Sequence, residues 1–177
     1  IMEVWENEYP ADSEYVHYYS RYVGHVEKAN IINTLNAQMH ELYTLINSVP
    51  GDKAFFAYAH DKWTLKEVIG HMIETERLFC YRAFAISRGE KQPLPGMDQD
   101  EYMANNHYNK RTLANLSNEY LAVRVSTIHL LSSMTKQMIN KRGIASGFDV
   151  TVRALAFIIA GHERHHINLI KEKYLAD

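Results

Sequence analysis

Four long stretches of the chain repeat apolar residues at the spacing of an amphipathic helix. In the first stretch the repeat advances in steps of three and four residues, through Ile32, Leu35, Met39, Leu42 and Ile46. A helix with one apolar face has to bury that face against other elements. No stretch alternates convincingly at the period of a strand, and no internal repeat is visible. We therefore predict an all-α fold, a four-helix bundle.

The ends of these helices are marked by residues that start or stop helices. Thr64 followed by Glu67 forms a capping box, in which each side chain satisfies a free backbone amide at a helix start. Proline or glycine follows three of the four stretches and ends them. The predicted helices run from about Tyr22 to Asn47, Leu65 to Ser87, Thr112 to Lys141 and Val150 to Tyr174.

The link between the second and third helices, from Arg88 to Lys110, is much longer than the other two. It contains Pro93, Pro95 and Gly96 and shows little apolar periodicity. Loops of this length are uncommon unless they have a function. Such a link can cross the bundle from end to end, which makes the second and third helices parallel. The predicted order is therefore up-down-down-up, with a long crossover between helices 2 and 3.

The composition indicates one globular domain, residues 1–177, in which residues 1–20 form an N-terminal lead segment. A net charge of -2 gives no reason to expect nucleic acid or a membrane surface as a partner. No apolar run approaches the roughly 20 residues that span a bilayer. Because Cys80 is the single cysteine, no intramolecular disulfide can form, and we expect a cytoplasmic protein.

Histidines from two distant parts of the chain have the spacing of metal ligands. His162 and His166 lie about 6 Å apart along the fourth helix. In the predicted helix order, His71 lies about 9 Å and His166 about 12 Å from the same end of the bundle. The three imidazoles are therefore predicted to form one metal site with open coordination positions. The alternative is three separate core histidines, each satisfied by its own hydrogen bond.

Residues 162–166 also match H-E-x-x-H, the zinc-peptidase pattern in which the glutamate activates water. Only 11 residues follow His166, and no strand is predicted that would align a peptide. Glu163 is therefore only a candidate catalytic base, and metal-dependent hydrolysis is an alternative function. Arg82 is predicted to form an ion pair with an acidic group such as Glu76 or Glu163, or to bind an anionic substrate.

The chain resembles the DinB/YfiT-like family of predicted metalloenzymes over roughly Ile31 to Tyr174, nearly the whole chain. The matching segments are residues 63–71 (WTLKEVIGH), 93–100 (PLPGMDQD) and 160–166 (AGHERHH). The resemblance implies a four-helix bundle of the order above and a divalent metal held by His71, His162 and His166. It also implies a homodimer. Some members of the family are S-transferases or isomerases that use a low-molecular-weight thiol such as bacillithiol, mycothiol or glutathione.

The leading hypothesis is therefore a small-thiol-dependent S-transferase or related isomerase, in which zinc or nickel binds the thiol sulfur. Its partner would be a small-molecule substrate. The second alternative, besides hydrolysis, is a non-catalytic metal-binding or stress-response protein. The residues expected at the pocket rim are Trp63, Asp98, Glu101 and Tyr102.

Overall fold

The computed structural model describes residues 2–176 and is dominated by four long helices. The α-helices are α1 Ser20–Val23, α2 Ile31–Ser48, α3 Leu65–Ser87, α4 Gln99–Ala104, α5 Leu113–Ser132, α6 Lys136–Ile139 and α7 Val152–Leu169. A π-helical turn, Ile170–Tyr174, continues α7. An antiparallel hairpin of β1 Arg142–Ala145 and β2 Phe148–Thr151 precedes α7. The bundle consists of α2, α3, α5 and α7.

The four bundle helices run up-down-down-up, as the long second link predicts. The start of α3 lies beside the end of the α7 extension, where the Tyr174 hydroxyl donates to the Trp63 carbonyl at 2.7 Å. The end of α3 lies beside the segment that follows α5, where Lys141 donates to the Ser87 carbonyl at 2.8 Å. Helix α3 is therefore antiparallel to α7 and parallel to α5.

Helix α3 has the bounds that the sequence predicts, Leu65–Ser87. The predicted capping box is present at its start. The Thr64 hydroxyl accepts from the Glu67 amide at 3.3 Å, and the Glu67 carboxylate accepts from the Thr64 amide at 2.8 Å. These two hydrogen bonds fix the first turn of the helix that carries His71.

The crossover, residues 88–112, returns along α3 from its end to its start. Near the beginning of the crossover, the Leu94 amide donates to the Ile144 carbonyl of β1 at 2.8 Å. Near its end, Asn109 accepts from the Thr64 hydroxyl at 2.8 Å. The crossover is therefore attached at both ends of α3, and its middle part, with α4, reaches the end of the bundle where α3 begins.

The third predicted helix was too long, because residues 133–151 fold differently. Helix α5 ends at Ser132, and α6 and the hairpin follow, so the expectation of no strand was wrong here. The hairpin turns at Ser146 and Gly147, whose φ values of 54° and 82° are the positive angles of a type I′ turn. Strands of four residues are too short to show a clear alternation in the sequence.

The predicted starts of the first and fourth helices were also too early. Tyr22 lies in the separate helix α1, and α2 begins after Asn30, whose side chain accepts from the Ile32 amide at 3.0 Å. Val150 lies in β2, and Thr151 caps the first turn of α7 through its hydroxyl. In both cases a polar side chain sets the helix start, since it satisfies an amide that has no partner within the helix.

Apolar side chains fill the bundle as two clusters. One contains Leu155 and includes Trp5 of the lead segment, whose buried indole N–H donates to the Leu131 carbonyl at 3.0 Å. The other contains Leu65 and Ile167. The lead segment therefore packs against the bundle. Among residues 2–176, no helix combines the length and the apolar character that a bilayer crossing requires.

A fully buried arginine joins all four bundle helices. Arg124 of α5 donates from Nε and Nη2 to the Glu76 carboxylate of α3, at 2.8 Å each. Its Nη1 and Nη2 donate to the Glu163 carboxylate of α7 at 3.1 and 2.6 Å. The remaining Nη1 donor reaches the Leu35 carbonyl of α2 at 3.1 Å. All five N–H donors of the guanidinium therefore have acceptors.

The predicted ion pair of Arg82 with Glu76 or Glu163 was wrong, since Arg124 binds both carboxylates. Arg82 is also buried, but its Nη2 donates to the Pro95 carbonyl and to the Ser146 hydroxyl, at 2.7 Å each. Arg82 therefore connects α3 to the crossover and to the hairpin turn.

Replacing Arg124 with methionine should lower the free energy of unfolding by about 3–5 kcal/mol, because two buried carboxylates lose their partner. Urea unfolding followed by circular dichroism measures this change. Arg111→Met is the matched control, since Arg111 pairs with Glu119 on the partly exposed outer side of the bundle. Ion pairs of that kind contribute about 0–1 kcal/mol. Equal losses in the two variants would contradict a central role for Arg124.

Candidate metal centre

Three imidazoles meet at the end of the bundle where α3 begins and α7 ends. The Nε2 atom of His162 lies 3.2 Å from Nε2 of His71 and 3.2 Å from Nε2 of His166. One ring nitrogen of each residue lies within 4.8 Å of the other two, and all three side chains are buried. The alternative of three separate core histidines is therefore wrong.

The spacing of these nitrogens fits a single metal ion. Two nitrogens bound to one zinc ion at about 2.0–2.1 Å, with angles between octahedral and tetrahedral values, lie roughly 2.8–3.4 Å apart. The separations of 3.2 Å from His162 to each of the other two histidines fall in this range, and the ring nitrogens of the third pair lie within 4.8 Å of each other. One cation would face all three lone pairs at once, whereas a hydrogen bond between two rings uses only one of them. The donor set therefore fits a divalent ion, and metal binding itself stays a prediction.

Burial keeps the three histidines neutral. It lowers the pKa of His71 from 6.5 to about 4. Burial also lowers the pKa of His162 and of His166 well below the ordinary value, and the neighbouring imidazoles add to the effect. A histidine has to be deprotonated to bind a metal. At neutral pH all three rings therefore have a lone pair for an ion.

Neighbouring side chains orient two of the rings. Nδ1 of His71 lies 3.4 Å from the hydroxyl of Thr75, one turn further along α3. A hydroxyl that accepts from Nδ1 leaves the Nε2 lone pair for the metal. The Tyr22 ring of α1 packs edge-on against His162, with 5.2 Å between the ring centroids. The buried Nδ1 of His166 has no hydrogen-bond partner within the described part of the chain.

Two clefts reach the histidines. The larger, about 390 Å³, reaches His166, and we call it the polar cleft. The smaller, about 200 Å³, reaches His71 and His162, and we call it the aromatic cleft. Gln99, at the start of α4, lines both. Other residues of the polar cleft include Tyr58, Asp61, Lys62, Trp63, Asp100 and Tyr174. Other residues of the aromatic cleft include Tyr18, Tyr19, Tyr22, Leu78, Phe79 and Met97.

The sequence matches the DinB superfamily over residues 34–170, more than half of the chain. The chain belongs to the DinB superfamily. The matched region extends from α2 to the first residue after α7, and it includes all three histidines of the cluster. No curated protein sequence matches the chain significantly.

Solved structures share the DinB fold at low sequence identity. YfiT from Bacillus subtilis, a probable metal-dependent hydrolase with an unusual four-helix bundle topology, has a TM-score of 0.73 at 15% identity, covering 80% of this chain and 82% of YfiT. The mycothiol-dependent maleylpyruvate isomerase has a TM-score of 0.64 at 13% identity, covering 78% of this chain and 59% of the isomerase. The DinB-like protein YjoA from Bacillus subtilis has a TM-score of 0.57 at 18% identity, covering 82% of this chain and 90% of YjoA. Identities this low show a shared fold and leave the reaction open.

One of the four predicted rim residues lines a cleft. Trp63 lines the polar cleft, and its ring centroid lies 4.9 Å from that of His71. Glu101 and Tyr102 are exposed on α4 and line neither cleft. The loop that holds them does reach the histidines, but other residues of it face the clefts.

Asp98, the fourth predicted rim residue, caps α4 instead. Its carboxylate accepts from the amides of Asp100 and Glu101 at 3.0 and 3.1 Å. The adjacent Met97 and Gln99, together with Asp100, face the clefts, and none of the three was predicted from the sequence. An aspartate before a short polar segment is a helix-start signal, so the cap could have been predicted from the sequence, but the residues that face the clefts could not.

Glu163 follows His162 in the sequence, but its carboxylate is directed to α5. Both of its oxygens accept from Arg124, and Oε1 also accepts from the Tyr120 hydroxyl at 3.2 Å. Burial raises the pKa of Glu163 to about 7, although Arg124 opposes this effect. Such a pKa suits a general base, but these contacts support a structural role. Catalysis by Glu163 stays a prediction.

Each of three single substitutions should lower zinc affinity by more than about 100-fold: His71→Ala, His162→Ala and His166→Ala. The loss of a ligand should exceed the roughly 10- to 100-fold effect of changing an outer contact. Titration calorimetry and elemental analysis, on protein purified without a metal-affinity column, measure the affinity and the expected ratio of one ion per chain.

The matched control is His165→Ala. The His165 ring lies 5.1 Å from that of His166 but is not part of the converging cluster. Zinc affinity should stay near that of the unchanged protein. Any of the three predicted ligands whose alanine variant keeps full affinity would have to be removed from the site.

Gly161→Ala should lower the free energy of unfolding by about 1–3 kcal/mol, the usual effect of overpacking. A Cβ at Gly161 would lie 2.0 Å from the Tyr22 carbonyl oxygen, so α1 would have to move away from α7. Gly51→Ala is the control, because a Cβ there meets no atom within 4 Å. Urea unfolding compares the two variants, and an unchanged Gly161→Ala protein would show that this close approach is absent in solution.

Proposed function

We propose that this protein is a divalent-metal-dependent enzyme that joins a small thiol to an electrophile, as an S-transferase or a related isomerase. The supporting observation is the convergence of three neutral imidazole nitrogens where two clefts meet. Within residues 2–176, no fourth histidine, cysteine or carboxylate joins the cluster. Three protein ligands and an open side are typical of a catalytic metal site.

Zinc and nickel both suit a set of imidazole ligands. A divalent ion at this site would act as a Lewis acid and would favour the thiolate form of a thiol that coordinates it. The chain contributes His71, His162 and His166 as ligands. The rings of Trp63 and Tyr22 pack against two of these histidines and limit the access of water to them.

A thiol that is ionised in this way does not require a strong protein base. This agrees with the contacts of Glu163, whose carboxylate is already bound by Arg124 and Tyr120. In the transfer reaction the sulfur would form a bond to an electrophilic carbon, the leaving group would depart from that carbon with the electron pair of its broken bond, and the thiol proton would pass to solvent. The two clefts provide separate access for the two reactants.

The similarity to the mycothiol-dependent maleylpyruvate isomerase supports a thiol-dependent reaction on this scaffold. That protein is named for its use of a small thiol, although this chain covers only 59% of it. The support is therefore for the class of reaction.

The alternative of a metal-dependent hydrolase is favoured by the likeness to YfiT, a probable metal-dependent hydrolase. Hydrolysis requires a base that activates water, and Glu163 is the candidate from the H-E-x-x-H pattern. If this alternative holds, Glu163→Gln should abolish hydrolysis of ester or peptide substrates while one ion per chain stays bound.

Metal-loaded protein should accelerate the reaction of monochlorobimane with at least one of glutathione, mycothiol and bacillithiol. In this reaction a sulfur–carbon bond forms, the carbon–chlorine bond breaks, chloride leaves with the electron pair and the thiol proton enters the buffer. Bimane fluorescence measures the rate. His162→Ala should reduce the rate to that of the uncatalysed reaction, because the metal is lost.

Tyr81→Ala is the control variant, since Tyr81 is exposed on α3 and lines neither cleft. It should keep the full conjugation rate. If protein with one bound ion conjugates none of the three thiols, the transferase proposal fails. A non-catalytic metal-binding protein would then be the better description.

A further inference from the structure

We infer that the two clefts are separate subsites, with the thiol cofactor in the polar cleft and a flat apolar electrophile in the aromatic cleft. This inference rests on the proposed function, and it assigns each reactant to a place. The first observation is that the clefts reach different ligands. The polar cleft reaches His166, whereas the aromatic cleft reaches His71 and His162. A single ion would therefore be approached from two directions.

The polar cleft has the chemistry that a charged thiol cofactor requires. Its lining includes the charged side chains of Asp61, Lys62 and Asp100, and it is about twice the volume of the aromatic cleft, at about 390 against 200 Å³. Small thiol cofactors carry carboxylate, amine or hydroxyl groups that need polar partners. Lys62 can donate a charge-assisted hydrogen bond to a carboxylate in this cleft.

The aromatic cleft lacks aspartate, glutamate, lysine and arginine in its lining. Four of its ten lining residues are tyrosine or phenylalanine, among them Tyr18 and Phe79, and Met97 adds further apolar surface. The guanidinium of Arg21 lies 3.9 Å from the centroid of the Tyr18 ring and supports it from outside. Aromatic rings and a methionine side chain favour a flat, apolar molecule. This cleft therefore suits the electrophile better than a highly charged cofactor.

Gln99 lies where the two clefts adjoin, since it lines both. It follows Asp98, whose carboxylate caps α4 and so fixes the backbone at this point. The Gln99 amide is neutral and can both donate and accept hydrogen bonds. We assign it the role of a partition residue, which contacts both reactants and keeps them on their own sides of the metal.

Nuclear magnetic resonance of the zinc-loaded protein tests the assignment without relying on turnover. The indole N–H of Trp63 reports on the polar cleft, and the methyl group of Met97 reports on the aromatic cleft. Trp5 is the internal control, because its indole is buried against Leu131. The probes are reduced glutathione and a bimane that lacks the reactive chlorine.

Glutathione should shift the Trp63 signal, the unreactive bimane should shift the Met97 signal, and both should bind at the same time. Lys62→Ala should weaken glutathione binding about threefold or more and leave bimane binding unchanged. Tyr18→Ala should do the reverse, by a similar factor. Both residues are on the surface, so each variant serves as the folding control for the other.

Competition between the two probes, shifts of both probes at one reporter, or failure of either probe to bind would each overturn the assignment. Conjugation of monochlorobimane, measured on the same sample, separates this result from the proposed function. Binding in separate clefts without conjugation would support the subsites and refute the transferase. Conjugation with both probes at one reporter would support the transferase and refute the subsites.

Discussion

The buried guanidinium of Arg124 holds together the two helices that bring the histidines to one point. It binds Glu76 on α3, five residues after His71, and Glu163 on α7, directly after His162. A buried charge is tolerated only when hydrogen-bonded partners surround it, so each of these groups requires the others. The register of α3 against α7 is therefore set by charge as well as by apolar packing. The convergence of the imidazoles depends on that register.

The crossover between α3 and α5 shapes the clefts that lead to the histidines. Arg82 donates to the crossover at Pro95 and to the hairpin turn at Ser146, while Asn109 connects the far end to the start of α3. These contacts place Gln99 over the histidine end of the bundle, between the two clefts. A bundle with a short second link would have no segment at this position. The long connection therefore serves both the helix order and the shape of the site.

The common level of His71, His162 and His166 in the bundle could be predicted from the sequence. A helix has a constant rise per residue, so distances along α3 and α7 follow from residue numbers once the helix order is known. The hairpin was missed because its two strands have only four residues each, which is too short for a clear alternation of apolar and polar residues. Arg124 was missed for another reason: arginine is almost never fully buried unless it is paired, and the pairing residues lie on two other helices.

The sequence by itself determined the helical architecture, the capped start of α3 and the three histidines, because each depends on spacing within one stretch of chain. Only the tertiary structure decided that Arg124 pairs with Glu163 and that Gln99 faces two clefts. These features depend on which side chains meet across helices and loops. The physical reason is that the height of a side chain on a helix follows from its residue number alone. The partner that a side chain meets depends on residues that are distant in the chain.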